Sequence, residues 1–323
     1  MESPSTSYRW TLFPWLADQC RVEKVKTLLV LGDVTDSKDQ HNAELVNHVV
    51  REFDKLRAAV PRIVILMGNH DFLRDGNMFF KFLDALPGIE VVTSPSEDKD
   101  IKGESTFFLP YSKNPVKDWD GLDFSHYRYM FMHQTVKGAR SSNGQEMEGE
   151  TLPPLNAAKV YSGDIHVPQI IGAVEYVGSP YHVHFGDSFK PRCVLLERDG
   201  NAVDLFMKSP RRITMKVKSL EELKATALHE TRAGDQVKLR LGLDEADRHD
   251  WKRIKRQAID FLVAHDVDVH AVELVAGASG EVGDLMHAAR RSVDPAESLR
   301  RFVAVEELGG DAYDAGMDIL ETR

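Results

Sequence analysis

Residues 62–72 read RIVILMGNHDF, and this stretch decides the fold. Five apolar residues, 63–67, run without interruption to a glycine, which predicts a short strand buried on both faces of a sheet. An amide, an imidazole and a carboxylate follow at once as Asn69, His70 and Asp71. In open α/β sheets, ligands bind at the carboxyl ends of the strands. The stretch therefore predicts a strand that delivers polar side chains to a functional site.

Three further stretches repeat this arrangement of an apolar run that ends in polar residues. They are residues 28–31 before GDVTD (32–36), residues 128–132 before His133 and Gln134, and residues 159–162 before GDIH (163–166). Residues 43–60 carry apolar side chains at steps of three and four, which predicts an amphipathic helix between the first two strands. These two strands and the helix form a β-α-β unit. The strand ends are expected to bring oxygen and nitrogen ligands to one place.

The composition is that of an ordinary globular protein and narrows the classes of function. The net charge of −10 and the pI near 5.7 argue against a protein that holds DNA by overall charge alone. A metal-dependent enzyme acting on nucleic acid stays compatible, because bound cations dominate the local field. Cys20 and Cys193 lie far apart in sequence and suggest neither a disulfide framework nor a thiolate metal site. Since no apolar run approaches the roughly 20 residues of a membrane helix and the start lacks a signal-peptide pattern, we expect a cytoplasmic protein without a membrane partner.

The sequence divides the chain into three predicted parts. Residues 1–208 form the α/β domain that contains the four strands. Residues 209–280 alternate strands and helices and predict a small α+β domain, in which the S-x-x-E sequence at 219–222 opens a helix as a capping box. Residues 281–323 are predicted to be helical. The helix at residues 299–308 is a candidate surface for docking a partner, and an ordinary packed helix explains it equally well.

The polar residues at the strand ends are of the types that bind hard or borderline divalent ions. Asp, Asn and His without cysteine suit manganese, magnesium, iron(II) or zinc. One carboxylate shared by two ions about 4 Å apart clamps a phosphoryl group and activates water, and Asp33 is the candidate for this bridge. His70 is placed to stabilise charge on the phosphate and to protonate the leaving oxygen, with Asp71 behind it as orienting partner. Of the remaining histidines, His41 and His184 lie nearest to the predicted site loops.

The ordered motifs GDVTD, GNHD, MHQ and SGDIH resemble those of the calcineurin-like metallophosphoesterase superfamily over residues 25–208. The segments GDIHVPQ and YVGSPYHVHFGDSFKPR resemble more narrowly the SbcD-type nuclease subunit of the SbcCD complex, including its phage-encoded relatives. The resemblance implies an α/β fold, a four-layer α-β-β-α sandwich followed by a smaller α+β capping domain. It also implies two divalent metal ions, with Mn²⁺ in the first place and Mg²⁺, Fe²⁺ or Zn²⁺ as alternatives.

The resemblance also assigns roles and partners. Asp33 bridges both ions. One ion is completed by Asn69, His133 and Asp164, and the other is bound by His166. His70 is the catalytic histidine, and Asp36, the last residue of GDVTD, supports the ligands. The implied partners are DNA and an SbcC-like ATPase subunit, with a homodimer as an option, and the location is the host cytoplasm if the chain is phage-encoded. Four basic residues are candidates for contacting DNA phosphates, although a solvated strand edge explains them equally well: Arg211, Arg212, Lys216 and Lys218.

Two departures from the family pattern modify these expectations. The family's final motif is usually G-H-x-H, and Asp164 replaces its first histidine. A carboxylate is a competent and harder ligand, so the metal preference is expected to shift. The family also begins with a strand carrying D-x-H, and no such strand precedes Tyr8. We therefore expect either a start site placed too far downstream or a real loss of that strand, with weak binding of the second ion.

Three functions are compatible with these residues. The leading one is a metal-dependent DNA nuclease subunit that works with an ATPase in recombination, repair or degradation of DNA. A phosphodiesterase or phosphatase for small substrates is the alternative within enzymes. A subunit that holds DNA or its ATPase without cutting is the alternative outside them. The retained Asn69, His70, His133 and His166 argue against it.

Overall fold

The computed structural model describes two compact units. It covers residues 4–74, 77–98, 101, 103–152, 159–197, 199–243, 247 and 249–275. The first unit is Met1–Arg212 and the second is Ile213–Arg323. The helical segment predicted at residues 281–323 lies outside the described residues.

Two consecutive helical segments precede the first strand. A 3₁₀ helix covers Pro4–Thr11, and α1 covers Leu12–Val22. Pro14 stands in the first turn of α1, where its missing N–H would have no partner within the helix in any case. Helix α1 packs on α2 (Ala43–Leu56), the amphipathic helix predicted from the sequence. The side chain of Asn42 caps α2 by accepting a hydrogen bond from a backbone N–H of its first turn.

The first sheet has three parallel strands in the order β1-β2-β3. They are β1 (Thr27–Val30), β2 (Arg62–Leu66) and β3 (Ile89–Val92). Because α2 connects β1 to its parallel neighbour β2, the predicted β-α-β unit is confirmed. A 3₁₀ helix, Phe79–Ala85, lies between β2 and β3 in the chain.

The second sheet has six strands in the order β4-β5-β6-β7-β9-β8. They are β4 (Ser96–Asp98), β5 (Thr106–Leu109), β6 (Tyr129–Met132), β7 (Lys159–Ser162), β8 (Gln169–Ile171) and β9 (Val174–Tyr176). Strands β5, β6, β7 and β9 are parallel, whereas β4 and β8 pair antiparallel at the two edges. Two more strands, β10 (Cys193–Leu196) and β11 (Ala202–Leu205), form an antiparallel pair.

The strand β2 has apolar side chains on both faces of the first sheet. Ile63 and Ile65 lie in the core formed with α1 and α2, and Val64 and Leu66 lie in the core between the two sheets. The other face of the second sheet is covered by residues 119–127, which follow the short helix α3 (Pro115–Asp118). The predicted four-layer sandwich is therefore confirmed, with a thin outer layer on the second sheet.

The second unit contains a three-stranded sheet and two helices. Strands β12 (Arg212–Val217), β13 (Gln236–Leu241) and β14 (Asp268–Leu274) lie in that order, with α4 (Leu220–Glu230) and α5 (Trp251–Val263) between them in the chain. The Ser219 hydroxyl caps α4 by accepting a hydrogen bond from the Glu222 N–H, while the Glu222 carboxylate accepts one from Lys218. Among the helices that the structure describes in either unit, none combines the length and the apolar character that crossing a bilayer requires.

Candidate metal centre

The four strand ends that were predicted to carry ligands meet at one place. Strands β1 and β2 are parallel neighbours in the first sheet, and β6 and β7 are parallel neighbours in the second. The loops after each pair therefore leave the sandwich at the same end. His133, after β6, contacts Leu31 after β1 and Asn69 after β2, which joins the two pairs.

His133 lies at the centre of the four strand ends. Its side chain is 1% exposed, and its Nδ1 donates a hydrogen bond to the Leu31 carbonyl oxygen. Since a carbonyl only accepts, Nδ1 carries a proton and Nε2 faces the other polar groups. Nε2 lies 3.2 Å from Asn69 Oδ1, 3.5 Å from Asp33 Oδ2 and 3.7 Å from Asp164 Oδ1. Metal-binding histidines share this arrangement, in which one ring nitrogen is fixed by an acceptor and the other binds the ion.

Three glycines leave the space that the site needs. A Cβ on Gly32 would lie 2.2 Å from His133 Nδ1, and one on Gly163 would lie 2.8 Å from the same atom. A Cβ on Gly68 would lie 2.2 Å from Asp33 Oδ1. Because each separation is far shorter than a van der Waals contact, β1, β2 and β7 must all be followed by glycine to bring their ligands together.

Asp33 and Asp164 both have left-handed backbone conformations, with φ of 55° and 71°. Aspartate tolerates this region better than most residues, but such outliers persist only where surrounding contacts hold them, and they concentrate at functional sites. Asp33 Oδ1 accepts a hydrogen bond of 2.9 Å from the His70 N–H. Asp164 Oδ2 accepts one from the Thr135 hydroxyl. Both carboxylates are thereby held beside the central histidine.

The groups around His133 are of the types that bind a divalent ion and lie near the spacings of its ligands. Two adjacent ligands at about 2.1 Å from one ion lie about 3.0 Å apart in an octahedron and about 3.4 Å apart in a tetrahedron. The separations of 3.2, 3.5 and 3.7 Å around Nε2 come close to these values. Within the described residues, however, no group of three or more His, Cys, Asp or Glu side chains stands ready to hold an ion. Asn69, Asp33 and Asp164 each lie near His133 Nε2, and their side chains must move for all of them to bind one ion.

Asp71 holds the loops after β1 and β2 together. It is 3% exposed, and its Oδ2 accepts hydrogen bonds from the N–H groups of Asp33 (2.7 Å) and Gly68 (2.9 Å). Its Oδ1 accepts a third from the Val34 N–H at 3.1 Å. Burial raises the pKa of Asp71, against the lowering effect of the Gly68 N–H. The prediction that Asp71 orients His70 is wrong, because backbone groups occupy both of its oxygens; it is a positioning residue for Asp33.

His70 is the exposed histidine of the site. Its side chain is 41% exposed, and its Nδ1 lies 2.7 Å from the backbone oxygen of Asp36 and 3.8 Å from the Asp36 carboxylate. Asp36 thus takes the orienting position that had been predicted for Asp71. Because Nδ1 donates to a carbonyl, Nε2 is left for a substrate.

His166 lies beside this cluster, in contact with a second histidine. The ring centres of His166 and His184 are 5.4 Å apart, and the rings are tilted by 36°. Burial and the neighbouring His184 lower the pKa of His166, while the carboxylates of Asp187, Asp33 and Asp164 act in the opposite direction. His166 is therefore within electrostatic range of Asp33, the residue predicted to bridge two ions.

Asp33 and His133 stabilise each other's charged forms. Burial alone would raise the pKa of Asp33, but hydrogen bonding and attraction from His133, together with the His70 N–H, lower it. For His133, burial opposes the charge, and Asp33 and Asp164 outweigh it and raise the pKa to about 9. Without bound ions, Asp33 and Asp164 therefore favour the protonated form of His133 at neutral pH.

We expect metal binding to release a proton and to strengthen with pH. An ion binds His133 Nε2 only after its proton has left, and a pKa of about 9 means that this proton is present at pH 7. The apparent affinity for Mn²⁺ should rise about tenfold per pH unit below this pKa and level off above it. Calorimetric titration at pH 7 in buffers of different ionisation enthalpy measures about one proton released by this site. Absence of proton release would show that His133 is neutral in the ion-free protein.

Two residues of the site were not predicted from the sequence. Tyr111 follows β5, and its N–H donates a hydrogen bond of 2.9 Å to the Met67 oxygen at the end of β2. Burial and the charge of Asp164 raise the pKa of its hydroxyl. Thr135 holds Asp164 through the hydrogen bond described above. Tyr111 follows an apolar strand as the predicted ligands do, but neither residue type signals metal binding, so the pattern gave no reason to select them.

The four basic residues predicted to contact DNA differ in exposure. Arg212 is 8% exposed, its guanidinium lies 4.1 Å from the centre of the Phe185 ring, and it donates a hydrogen bond to the Val183 oxygen. The prediction for Arg212 is therefore corrected, because a buried guanidinium that supports this segment does not serve as a surface contact for phosphate. Arg211 is half-buried, and Lys216 and Lys218 are exposed in the second unit.

The half of the chain that contains the candidate metal centre matches a known protein family. The family model described as calcineurin-like phosphoesterase matches residues 7–168. The match includes all four strand ends, with Asp33, Asn69, His133 and Asp164, and also His166. A search of curated proteins found no match to this chain.

Proposed function

Because the chain belongs to the calcineurin-like phosphoesterase family, we propose that it is a nuclease that hydrolyses phosphodiester bonds of DNA. Membership of this family makes it a metal-dependent phosphoester hydrolase, and the family generally uses two divalent metal ions. Beyond this, we propose that the substrate is DNA, that the preferred ion is Mn²⁺ and that the partner is an SbcC-like ATPase.

The observation that carries the proposal is the convergence of four potential ligands beside an exposed histidine. Asp33, Asn69 and Asp164 surround His133 Nε2, and His70 follows Asn69 directly in the chain. Divalent ions, when bound, neutralise phosphoryl charge and lower the pKa of water. Asp33, Asn69, His133 and Asp164 would hold these ions. In its imidazolium form, with a proton on each ring nitrogen, His70 donates the Nε2 proton to the leaving oxygen and becomes neutral, while the hydrogen bond from Nδ1 to the Asp36 backbone oxygen keeps the ring in place.

Three features support DNA over a small diester as the substrate. His70 is 41% exposed, and an accessible catalytic group suits a long polymer better than an enclosed pocket does. The segments at residues 163–169 and 176–192 resemble the SbcD-type nuclease subunit. The second unit presents Lys216 and Lys218 at its surface, and lysine is one of the residue types that contact phosphates. A cytoplasmic location, a homodimer and an ATPase partner stay predictions.

Cleavage assays with two kinds of substrate test the proposal. The full chain is incubated with Mn²⁺ and labelled double- or single-stranded DNA, and in parallel with bis-p-nitrophenyl phosphate. We expect DNA cleavage that stops with a chelator and returns with added Mn²⁺. Release of nitrophenol without DNA cleavage would replace the nuclease by a phosphodiesterase for small substrates. Silence on both substrates, with and without an ATPase partner, would leave a non-catalytic subunit.

We expect His70→Ala to lower kcat for DNA by about 100-fold, because it removes the group that protonates the leaving oxygen. The loss for bis-p-nitrophenyl phosphate should be much smaller, since nitrophenolate leaves without a proton. His126→Ala is the matched control, because His126 is an exposed histidine whose nearest carboxylate is Asp123. Equal losses on both substrates would assign His70 to charge stabilisation instead of proton transfer.

A further inference from the structure

A second pair of imidazoles lies next to the His133 cluster. His184 was not assigned a role, yet its ring centre lies 5.4 Å from that of His166. Two imidazoles that bind one ion at about 2.1 Å, at angles of 90° to 110°, have ring centres about 4.6 to 5.4 Å apart. The observed separation is at the upper end of this range. No third His, Cys, Asp or Glu of the described residues stands in place to complete the site, so a third ligand has to move toward the two rings.

The segment that carries His184 is held in place from several sides. Asp187 Oδ2 accepts hydrogen bonds from the N–H groups of Val183 (3.0 Å) and His184 (2.8 Å). The Gly186 N–H donates one of 2.8 Å to the Arg212 oxygen, and the Arg212 guanidinium donates back to Val183. His184 is thus presented on a fixed backbone, as a ligand must be if it is to bind without a large loss of entropy.

The backbone of His166 is tied to the same region. Its carbonyl oxygen accepts a hydrogen bond of 3.0 Å from the Ser179 N–H, close to the start of the segment with His184. The carboxylates of Asp33 and Asp164 are within electrostatic range of the His166 ring. His166 is therefore in contact with the His184 ring and within electrostatic range of the carboxylates of the His133 cluster.

A buried carboxylate makes this position favourable for a cation. Asp187 is 8% exposed, and its Oδ1 has no hydrogen-bond partner among the described residues. The negative charge of Asp187 acts to raise the pKa of His166. A buried carboxylate oxygen without a donor is costly, and a nearby cation reduces that cost.

Divalent ions in proteins take at least four ligands, and open sites often have three protein ligands plus water, so Asp33 and His166 leave room for one further side chain. We propose that His184 is a ligand of the second divalent ion, together with His166 and Asp33. The proposal rests on the metal dependence in the proposed function. Two imidazoles and one carboxylate favour Mn²⁺, Fe²⁺ or Zn²⁺ over Mg²⁺, because nitrogen ligands suit the transition metals.

Counting bound ions is the first test. Titration of the wild-type chain with Mn²⁺, followed by electron paramagnetic resonance of the free ion, is expected to show two sites. His184→Ala should keep the first site and weaken the second at least about 100-fold, while His126→Ala should keep both. Two sites of unchanged affinity in His184→Ala would overturn the proposal. A wild-type chain that binds no Mn²⁺ would instead contradict the proposed function.

A ligand exchange identifies the contact directly and covers the case in which His184→Ala fails to fold. In His184→Cys, bound Co²⁺ should produce a thiolate-to-cobalt absorption band in the near ultraviolet, which the wild-type chain lacks. Cys20 and Cys193 are present in both proteins, and burial raises the pKa of the Cys193 thiol to about 12 and also raises that of Cys20. Both thiols therefore favour the protonated form, and the wild-type spectrum measures any absorption that they contribute. A folded His184→Cys chain that binds Co²⁺ without this band would show that residue 184 does not touch the ion.

Discussion

Replacing Asp33 with asparagine is expected to lower kcat/KM for a phosphodiester at least about 1,000-fold at saturating metal. The side chain keeps its shape, and its oxygen can still accept the hydrogen bond from the His70 N–H. What is lost is the charge that faces His133 at 3.5 Å and lies within range of His166. Asp164 also faces these two histidines, but Asp33 is the carboxylate predicted to bridge the two ions, so both ions should be affected.

The measurement is steady-state hydrolysis of bis-p-nitrophenyl phosphate over a range of Mn²⁺ concentrations. Asp54→Asn is the matched control, because Asp54 is an exposed aspartate on α2 that pairs only with the neighbouring Arg57 in the described structure. It should retain wild-type activity. If Asp33→Asn stayed within tenfold of the wild-type value at saturating Mn²⁺, Asp33 would not be the bridging ligand.

Asp71→Ala is expected to cost about 3–5 kcal/mol of the free energy of unfolding of the first unit. The alanine leaves three N–H groups without their acceptor, those of Asp33, Val34 and Gly68. Asp33 also loses the contacts that hold its left-handed backbone, with φ of 55°. Binding of both ions should therefore weaken even in molecules that remain folded.

Thermal and urea unfolding of the full chain, with and without Mn²⁺, measure this effect. Asp84→Ala serves as control, because Asp84 is a partly exposed aspartate that accepts one backbone hydrogen bond, from the Val91 N–H, and one from the exposed Lys81 ammonium. We expect it to cost about 1 kcal/mol. An Asp71→Ala chain with wild-type stability and wild-type Mn²⁺ affinity would mean that the loops keep their conformation without the buried carboxylate.

Much of the fold and of the site was predictable because the relevant signals are local. A parallel strand that is buried on both faces appears in sequence as an unbroken apolar run, as residues 63–67 do. Where such a strand ends beside its neighbours, only glycine fits, and Gly32, Gly68 and Gly163 all mark such ends. The polar residues that follow them were therefore recognisable as candidate ligands before any contact was known. The Ser219 cap of α4 was predictable for the same reason.

The roles of individual side chains depended on contacts between distant parts of the chain. Asp71 follows His70 directly, which suggested a pair, but its oxygens bind the backbone of a loop on the neighbouring strand. Arg212 has the charge of a DNA contact, but folding buries it against Phe185.

By itself, the sequence determined which strands are buried and which polar residues follow them, because burial on both faces and glycine at a strand end leave a local pattern. Only the tertiary structure decided that Asp36 orients His70, that Asp71 positions Asp33, and that His184 lies against His166. These contacts join residues whose loops become neighbours through the order of strands in the two sheets. No periodicity along the chain encodes that order, because it is set by the packing of the whole sandwich.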